Sequence, residues 1–144
     1  MKFYKTDVSG NLVPEESQGQ LNVVQALTAD TTLTVADSGK IFLLDAIGEV
    51  ISLPTDLVSG VNFKFRVVAD VITTPWTIVS ATDVIEGYAS VAYATVIGAN
   101  ENTISLVHTK AIIGDEISVF CDGTSWHASG HGSVAASVTF TAPA

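Results

Sequence analysis

The feature that most constrains this chain is a two-residue alternation of apolar and polar side chains, which runs from Thr31 towards the C-terminus. It is clearest in residues 61–69, where polar residues separate Phe63, Phe65 and Val67. Successive side chains of a β-strand point to opposite faces of its sheet, so this alternation predicts strands with one buried and one exposed face. Helices are disfavoured, because Val, Ile and Thr dominate and the helical spacing of three and four is not sustained.

Short strands separated by turns account for most of the remaining sequence. Further strands are predicted at 33–35, 41–44, 50–53, 76–79, 103–107, 116–121 and 133–141, and the apolar stretch 88–99 is interpreted as buried strand or interface. The turns carry residues that tolerate positive φ, and Asp122–Gly123 is the strongest hairpin signal. The pattern predicts an all-β chain that forms a single β-sandwich or jelly-roll-like domain. The segment 21–27 is also compatible with one short helix.

Residues 1–30 lack sustained periodicity and contain Gly10, Pro14 and Gly19. We therefore predict an extended N-terminal arm over residues 1–30 and the β-sandwich over residues 31–144. Phe3 and Tyr4 lie between two lysines near the tip of this arm. Two interpretations are open: these rings anchor the arm on a neighbouring subunit, or they begin the first strand of the chain's own sheet.

The charge of the chain excludes one class of partner. Six Lys and Arg residues stand against 15 Asp and Glu residues, which gives a net charge of −9. Nucleic-acid phosphates are bound by basic side chains, so we expect no nucleic-acid partner. No window reaches the ~18 apolar residues of a membrane span and the N-terminus lacks a secretory signal pattern, so we expect a soluble chain made in the cytoplasm, without a membrane partner.

The apolar content is high for a chain with so few charges. Apolar residues make up 47% of the chain and charged residues 15%, where an average soluble domain has about 25% charged residues. Surface covered by other subunits would account for this, and so would a very well filled core. In 133–141 the alternation points Val138 and Phe140 inward and leaves a small, uncharged outward face that includes Ser137 and Thr139. We predict that this face lies between subunits.

Residues for catalysis or metal binding do not form a recognisable pattern. The sequence has no Gly-rich phosphate loop, no nucleophile elbow and no Cys/His array with metal-ligand spacing. Cys121, the only cysteine, lies in a strand pattern and is expected to be buried. His127 and His131 are four residues apart, a spacing that brings ligands together on a helix but not in this non-helical segment. The acidic residues from Asp30 to Asp56 are scattered over turns. We therefore expect no enzyme activity, no catalytic residues, no metal site and no cofactor.

The aromatic residues divide into two groups. Trp76 shares an alternating strand with Ile78 and Trp126 follows the hairpin turn, so both are expected in the core or a subunit interface. Tyr88 and Tyr93 lie among Ala, Ser and Val, and at least one is predicted to contact a partner. An alternative is a glycan-binding module, in which aromatic rings exposed on one face stack on sugar rings.

Two stretches of sequence carry a resemblance to known proteins. "TLTVADSGKIFLLDAIGEVISLP", followed by "LVSGVNFKFRVV", resembles a pattern that recurs in tailed-bacteriophage virion proteins such as capsid decoration (cement) proteins and tail-fibre or tail-spike modules. The later "GDEISVFCDGTSWHASG" is similar to the closing hairpin of such modules. The resemblance covers most of residues 31–131 and specifies strands and turns, not a site. The matching positions are Leu33, Ser38, Gly39, Leu53, Pro54, Gly60, Phe63, Phe65, Gly114, Asp115, Asp122, Gly123 and Trp126.

This resemblance implies a structural virion protein made in the host cytoplasm. It would form a β-sandwich, as a homotrimer, on the outer capsid surface, bind the major capsid protein and stabilise the shell. The alternative is a tail-fibre or receptor-binding, carbohydrate-binding module, but a fibre usually has a shaft, repeats or a second domain. The residues expected at capsid or subunit interfaces are Phe3, Tyr4, Tyr88, Tyr93, Ser137 and Thr139.

Overall fold

The computed structural model describes residues 4–6, 9–10, 12–14 and 21–142. These residues contain fourteen strands, one turn of 3₁₀ helix at Val35–Asp37, and no helix that could cross a membrane. The all-β prediction is confirmed. In chain order the strands are β1 Tyr4–Thr6, β2 Leu12–Pro14, β3 Val24–Leu27, β4 Thr31–Thr32, β5 Ile41–Leu44, β6 Val50–Ser52, β7 Asn62–Val67, β8 Trp76–Val79, β9 Ile85–Val91, β10 Ala94–Glu101, β11 Thr103–Leu106, β12 Glu116–Cys121, β13 Trp126–Gly132 and β14 Val138–Thr141.

Two mixed sheets form a β-sandwich. The first has seven strands in the order β10-β9-β13-β12-β7-β5-β3, and the second has five in the order β14-β11-β8-β6-β4. From β3 to β8 the chain alternates between the two sheets, so neighbours within each sheet run parallel: β3, β5 and β7 in one, β4, β6 and β8 in the other. Strands β1 and β2 pair with each other in a separate two-stranded sheet.

The inward side chains of both sheets form one apolar core. Phe63, Phe65 and Val67 are all buried, which confirms the alternation predicted for this strand. Phe42 stacks on Phe65 with ring centroids 5.5 Å apart, and Phe63 stacks on Trp126 at 5.9 Å. Removing a buried ring of this size costs about 3–5 kcal/mol, so this cluster is a major source of the stability of the sandwich.

The predicted strands at 41–44, 76–79 and 116–121 coincide with β5, β8 and β12 and are confirmed. The strand predicted at 33–35 is wrong, because the chain turns there. The Asp37 carboxylate accepts hydrogen bonds from the Thr34 backbone N–H at 2.9 Å and the Thr34 hydroxyl at 3.2 Å. This local capping interaction competes with sheet pairing and starts the 3₁₀ turn.

The sandwich begins before residue 30. Strand β3 lies within the range predicted as the arm, and it pairs in parallel with β5 at the edge of the seven-stranded sheet. Leu27 is buried beside its register partner Leu44, and pairing with β5 holds the segment as a strand. The short helix considered for 21–27 is therefore not formed.

The last strand is shorter than the predicted segment 133–141. Residues 133–137 form a bend and turn, in which Ala136 has a φ of 59°. From residue 138 the predicted alternation is present, with Val138 buried and Phe140 packed on the core. Ser137 is 0% exposed, so its prediction as an outward interface residue is wrong: the turn, and not the strand, decides its direction.

Candidate functional site

The outward strand positions of the five-stranded sheet carry hydroxyl and valine side chains and no charged residue; Asp30 borders them, where its carboxylate accepts a hydrogen bond from the Val50 backbone N–H. The alternate positions of its strands, such as Trp76, Ile78 and Ile104, are buried, so the intervening residues point outward. The register aligns nine outward residues in two rows, which we call the hydroxyl face: Thr32, Ser52, Val79, Thr103 and Thr141 in one row, and Val50, Thr77, Ser105 and Thr139 in the other.

The chemistry of the hydroxyl face favours contact with another surface. Thr103 is the only member whose hydroxyl donates a hydrogen bond to another side chain in the described part of the chain, at 2.9 Å to Asn102. The remaining hydroxyls are available to a partner. Short and β-branched side chains lose little rotamer entropy when covered, and covering hydroxyls costs less than covering charges.

A groove crosses the outward face of the seven-stranded sheet. Ser118 and Ser129 are direct cross-strand partners on β12 and β13, and their small side chains form its floor. Two adjoining depressions, of about 300 Å³ and about 200 Å³, share this floor. We call the whole feature the serine groove; besides the two serines, its lining includes Asn62, Lys64, Tyr88, Glu116, Phe120 and His131.

Two aromatic side chains border the serine groove on opposite sides of its floor. Tyr88 is 51% exposed and Phe120 is 52% exposed, although both belong to internal strands of the sheet. Tyr88 lines the smaller depression and Phe120 the larger one. Large exposed rings are costly to leave in water, so a pair flanking a depression is a candidate contact for a ligand.

The Phe120 ring is held in place by its neighbours. It stacks on His127, and the His127 Nε2–H donates a hydrogen bond of 2.7 Å to the Asp122 carboxylate. The backbone N–H groups of Thr124 and Ser125 donate to the other oxygen of that carboxylate, each at 2.8 Å. The bond from His127, followed by the bonds from Ser125 and Thr124, lowers the pKa of Asp122 to about 2. The turn carboxylate therefore fixes the histidine that supports the Phe120 ring.

Charged side chains beside the serine groove form one cluster, in which two cations share a single carboxylate. Glu116 lies opposite Arg66 on the neighbouring strand, and Ser118 lies opposite Lys64. The two carboxylate oxygens of Glu116 are 3.6 Å from Lys64 Nζ and 3.3 Å from Arg66 Nη1. These pairs are partly exposed and contribute little to stability, but they orient polar groups beside the floor.

The predicted interface residues lie in different parts of the molecule. Tyr88 borders the serine groove and Thr139 belongs to the hydroxyl face, whereas Ser137 is buried. Tyr93 is 111% exposed at the tip of the β9–β10 hairpin, where its φ is 69°. It lines a separate open depression of about 500 Å³. The structure does not bring these residues together.

Of the two residues predicted to anchor the arm, the structure describes only Tyr4. Tyr4 is the first residue of β1, whose backbone pairs with β2 at Pro14. Phe3 lies outside the described residues. Strand β1 therefore pairs with its own chain, but in a sheet separate from the sandwich.

The sequence pattern does not predict that Phe120, His127 and Asp122 belong to one site. A signal was available at Phe120, an aromatic residue at an outward position between the inward residues Val119 and Cys121. The strand alternation predicts a polar residue there, so the exception indicates a side chain with a role at the surface.

Other titratable groups have structural roles. Cys121 is buried, as predicted. Asp30 accepts a hydrogen bond from the Val50 N–H at 2.8 Å, and a side-chain hydrogen bond to Asp30, followed by desolvation and the charge of Asp30, raises the pKa of Glu49. In residues 21–142 and the described parts of the arm, no three His, Cys, Asp or Glu side chains are grouped to hold a metal ion.

In comparisons with known proteins, no family model, no curated protein and no solved structure matches this chain. The two surfaces of the chain itself therefore indicate what it can bind.

Proposed function

We propose that this chain is a structural virion protein of a tailed bacteriophage, which attaches to the outer surface of the capsid and stabilises the shell. It works by protein–protein assembly and not by catalysis. The hydroxyl face is its main contact with the major capsid protein. The resemblance in residues 31–131 supports the virion setting.

The observation that carries the proposal is the absence of charge from the hydroxyl face. The chain has 21 Asp, Glu, Lys and Arg residues in total, 15 acidic and 6 basic, yet none of the nine outward positions of this sheet is charged. Charged groups are depleted from the centres of protein interfaces because their desolvation is costly. A face of Thr, Ser and Val combines low desolvation cost with hydroxyls that can bond a partner.

The size of the face favours attachment to a repeated surface. Five strands spaced ~4.8 Å apart span about 24 Å, and two rows of side chains add about 14 Å in the other direction. The resulting area of roughly 340 Å² is well below the ~800 Å² per partner of a standard stable interface. Single contacts are therefore expected to be weak, and a lattice that engages linked copies would convert them into strong attachment. A homotrimer, as the resemblance implies, would provide such linkage.

Co-sedimentation with capsid shells tests the proposal. The purified chain would be mixed with undecorated tailed-phage capsid shells, and light scattering would give its oligomeric mass. We expect a trimer that saturates the shells. Thr77→Lys places a charge near the centre of the hydroxyl face and should weaken attachment at least about tenfold, because the buried cation lacks a partner.

The matched control is Thr95→Lys, which introduces the same charge at an exposed position on β10 of the other sheet. This variant should bind shells like the wild type. Absence of saturable binding, or equal binding by Thr77→Lys and wild type, would count against capsid attachment through this face.

A further inference from the structure

We infer that the serine groove binds a neutral oligosaccharide. The inference concerns the sheet opposite the hydroxyl face, and it does not depend on attachment to a capsid. The arrangement joins two exposed rings, a floor of hydroxyls and a set of oriented polar groups.

The two rings are spaced for an extended ligand. Tyr88 is in register with Ser129, which is in register with Ser118, so Tyr88 lies two strands from β12 in the row of the floor. Phe120 is two residues beyond Ser118 along β12. With ~4.8 Å between strands and ~3.3 Å per residue, the two Cα atoms are about 12 Å apart. One sugar ring cannot stack on both aromatic rings, so the ligand contains several sugar units.

The groove matches the two kinds of surface on a sugar. The C–H face of a pyranose ring is apolar and packs on an aromatic face, here Tyr88 and the supported Phe120 ring. Sugar hydroxyls both donate and accept hydrogen bonds, and the floor offers the Ser118 and Ser129 hydroxyls, which make no side-chain hydrogen bonds in the described chain. The Glu116 carboxylate, oriented by its pairs with Lys64 and Arg66, adds acceptors beside the floor.

Other classes of ligand fit less well. A peptide that adds a strand needs a free sheet edge, whereas β12 and β13 are each paired on both sides. An apolar side chain or lipid needs an apolar floor, which two serines do not provide. An anion such as a nucleotide is disfavoured by the net charge of −9, and each cation of the groove has an acidic neighbour: Lys64 and Arg66 share Glu116, and Lys40 pairs with Asp37. The two depressions together have the size of a small-molecule site, ~300–1,000 Å³.

Saccharide binding by the full chain tests the inference. The protein would be applied to a printed array of neutral oligosaccharides, and maltotriose, cellotriose and chitotriose would be titrated to about 10 mM while amide chemical shifts are followed. We expect saturable binding of at least one neutral glycan, with shifts centred on β12 and β13. Phe120→Ala and Tyr88→Ala should each weaken it at least about tenfold, while Phe120→Trp and Tyr88→Phe retain it.

Two further variants distinguish binding in the groove from binding elsewhere on the chain. Ser129→Phe fills the floor of the groove, leaves the Tyr88 and Phe120 rings in place, and should abolish binding. Tyr93→Ala removes a more exposed ring that lies outside the groove and should leave binding unchanged. The inference is overturned if no neutral glycan binds, if only anionic glycans such as sialyllactose bind, or if binding survives both Phe120→Ala and Tyr88→Ala in folded protein.

Discussion

Phe120 and His127 are direct cross-strand partners on β12 and β13, and their rings stack with centroids 5.0 Å apart and planes inclined by 19°. The Asp122 carboxylate, in the turn that joins these strands, accepts a hydrogen bond from His127. A single hairpin therefore contains the ring, its support and the group that orients the support. The arrangement links the local chemistry of a turn to one wall of the serine groove.

Asp122 should give the hairpin a pH-dependent contribution to stability. Its pKa of about 2 in the folded chain is below the ~3.9 of an unfolded aspartate. The contribution is therefore present above about pH 4 and is lost as the pH falls towards 2. Asp122→Asn should flatten the change in melting temperature over this range, as measured by circular dichroism from pH 2 to 5. Asp56→Asn, at an exposed turn, should retain the wild-type slope. Parallel curves for wild type and Asp122→Asn would contradict the role of the carboxylate.

The two buried tryptophans should differ in what their nitrogen contributes. Trp76 Nε1–H donates a hydrogen bond of 3.0 Å to the Asp45 carbonyl, whereas Trp126 Nε1 has no hydrogen-bond partner among the described protein atoms. Replacement by Phe removes similar volume at both sites, but only Trp76→Phe leaves a partly buried acceptor unpaired. We expect Trp76→Phe to lower the free energy of unfolding by about 1–2 kcal/mol more than Trp126→Phe in urea titrations. Equal losses of unfolding free energy would show that the Trp76 hydrogen bond makes no net contribution to stability.

Gly87 should tolerate no side chain, because β9 and β13 approach closely there. Its φ is 143°, and a Cβ atom would lie 1.9 Å from the Ala128 carbonyl oxygen. Gly60 also has a positive φ, 94°, but a Cβ atom there would meet nothing within 4 Å. Gly60→Ala should therefore cost about 1 kcal/mol from backbone strain alone, while Gly87→Ala should cost more than ~3 kcal/mol or prevent folding. Thermal unfolding of both variants tests this, and a mild effect at Gly87 would contradict the close approach.

Asp115 should be important for stability, because it is fully buried and accepts hydrogen bonds from three donors. One oxygen accepts bonds from the Ser133 backbone N–H and hydroxyl, each at 3.0 Å, and the other accepts the Ile112 N–H at 3.0 Å. Asp115→Ala leaves these donors unpaired and should lower the free energy of unfolding by about 2–4 kcal/mol. The exposed Asp83→Ala should change it by less than ~0.5 kcal/mol in the same urea titration. Similar values for the two variants would contradict a structural role for Asp115.

The positions of many strands and turns could be predicted from the sequence. The alternation around Phe63 and Phe65 places their side chains on one face of any strand, because the period of a strand is two. Gly39, Gly114 and Gly123 have positive φ, as the predicted turns require. The burial of Trp76 and Cys121 is predicted by the strand pattern and that of Trp126 by its place after the hairpin turn, and all three are buried.

The order of the strands, and with it both candidate sites, was decided only by the tertiary structure. Alternation says which side chains share a face of one strand, but not which strand lies beside it. The hydroxyl face combines Thr32 with Thr141, and the serine groove combines Lys64 with Tyr88 and Ser129, all brought together by long-range pairing. The entropic cost of closing a loop changes slowly with its length. The loop lengths in the sequence therefore favour one strand order over another only weakly. The packing of the shared core selects among them, and the turn at Ala136, which directs Ser137 inward, interrupts an alternation that the sequence continues through residues 133–141.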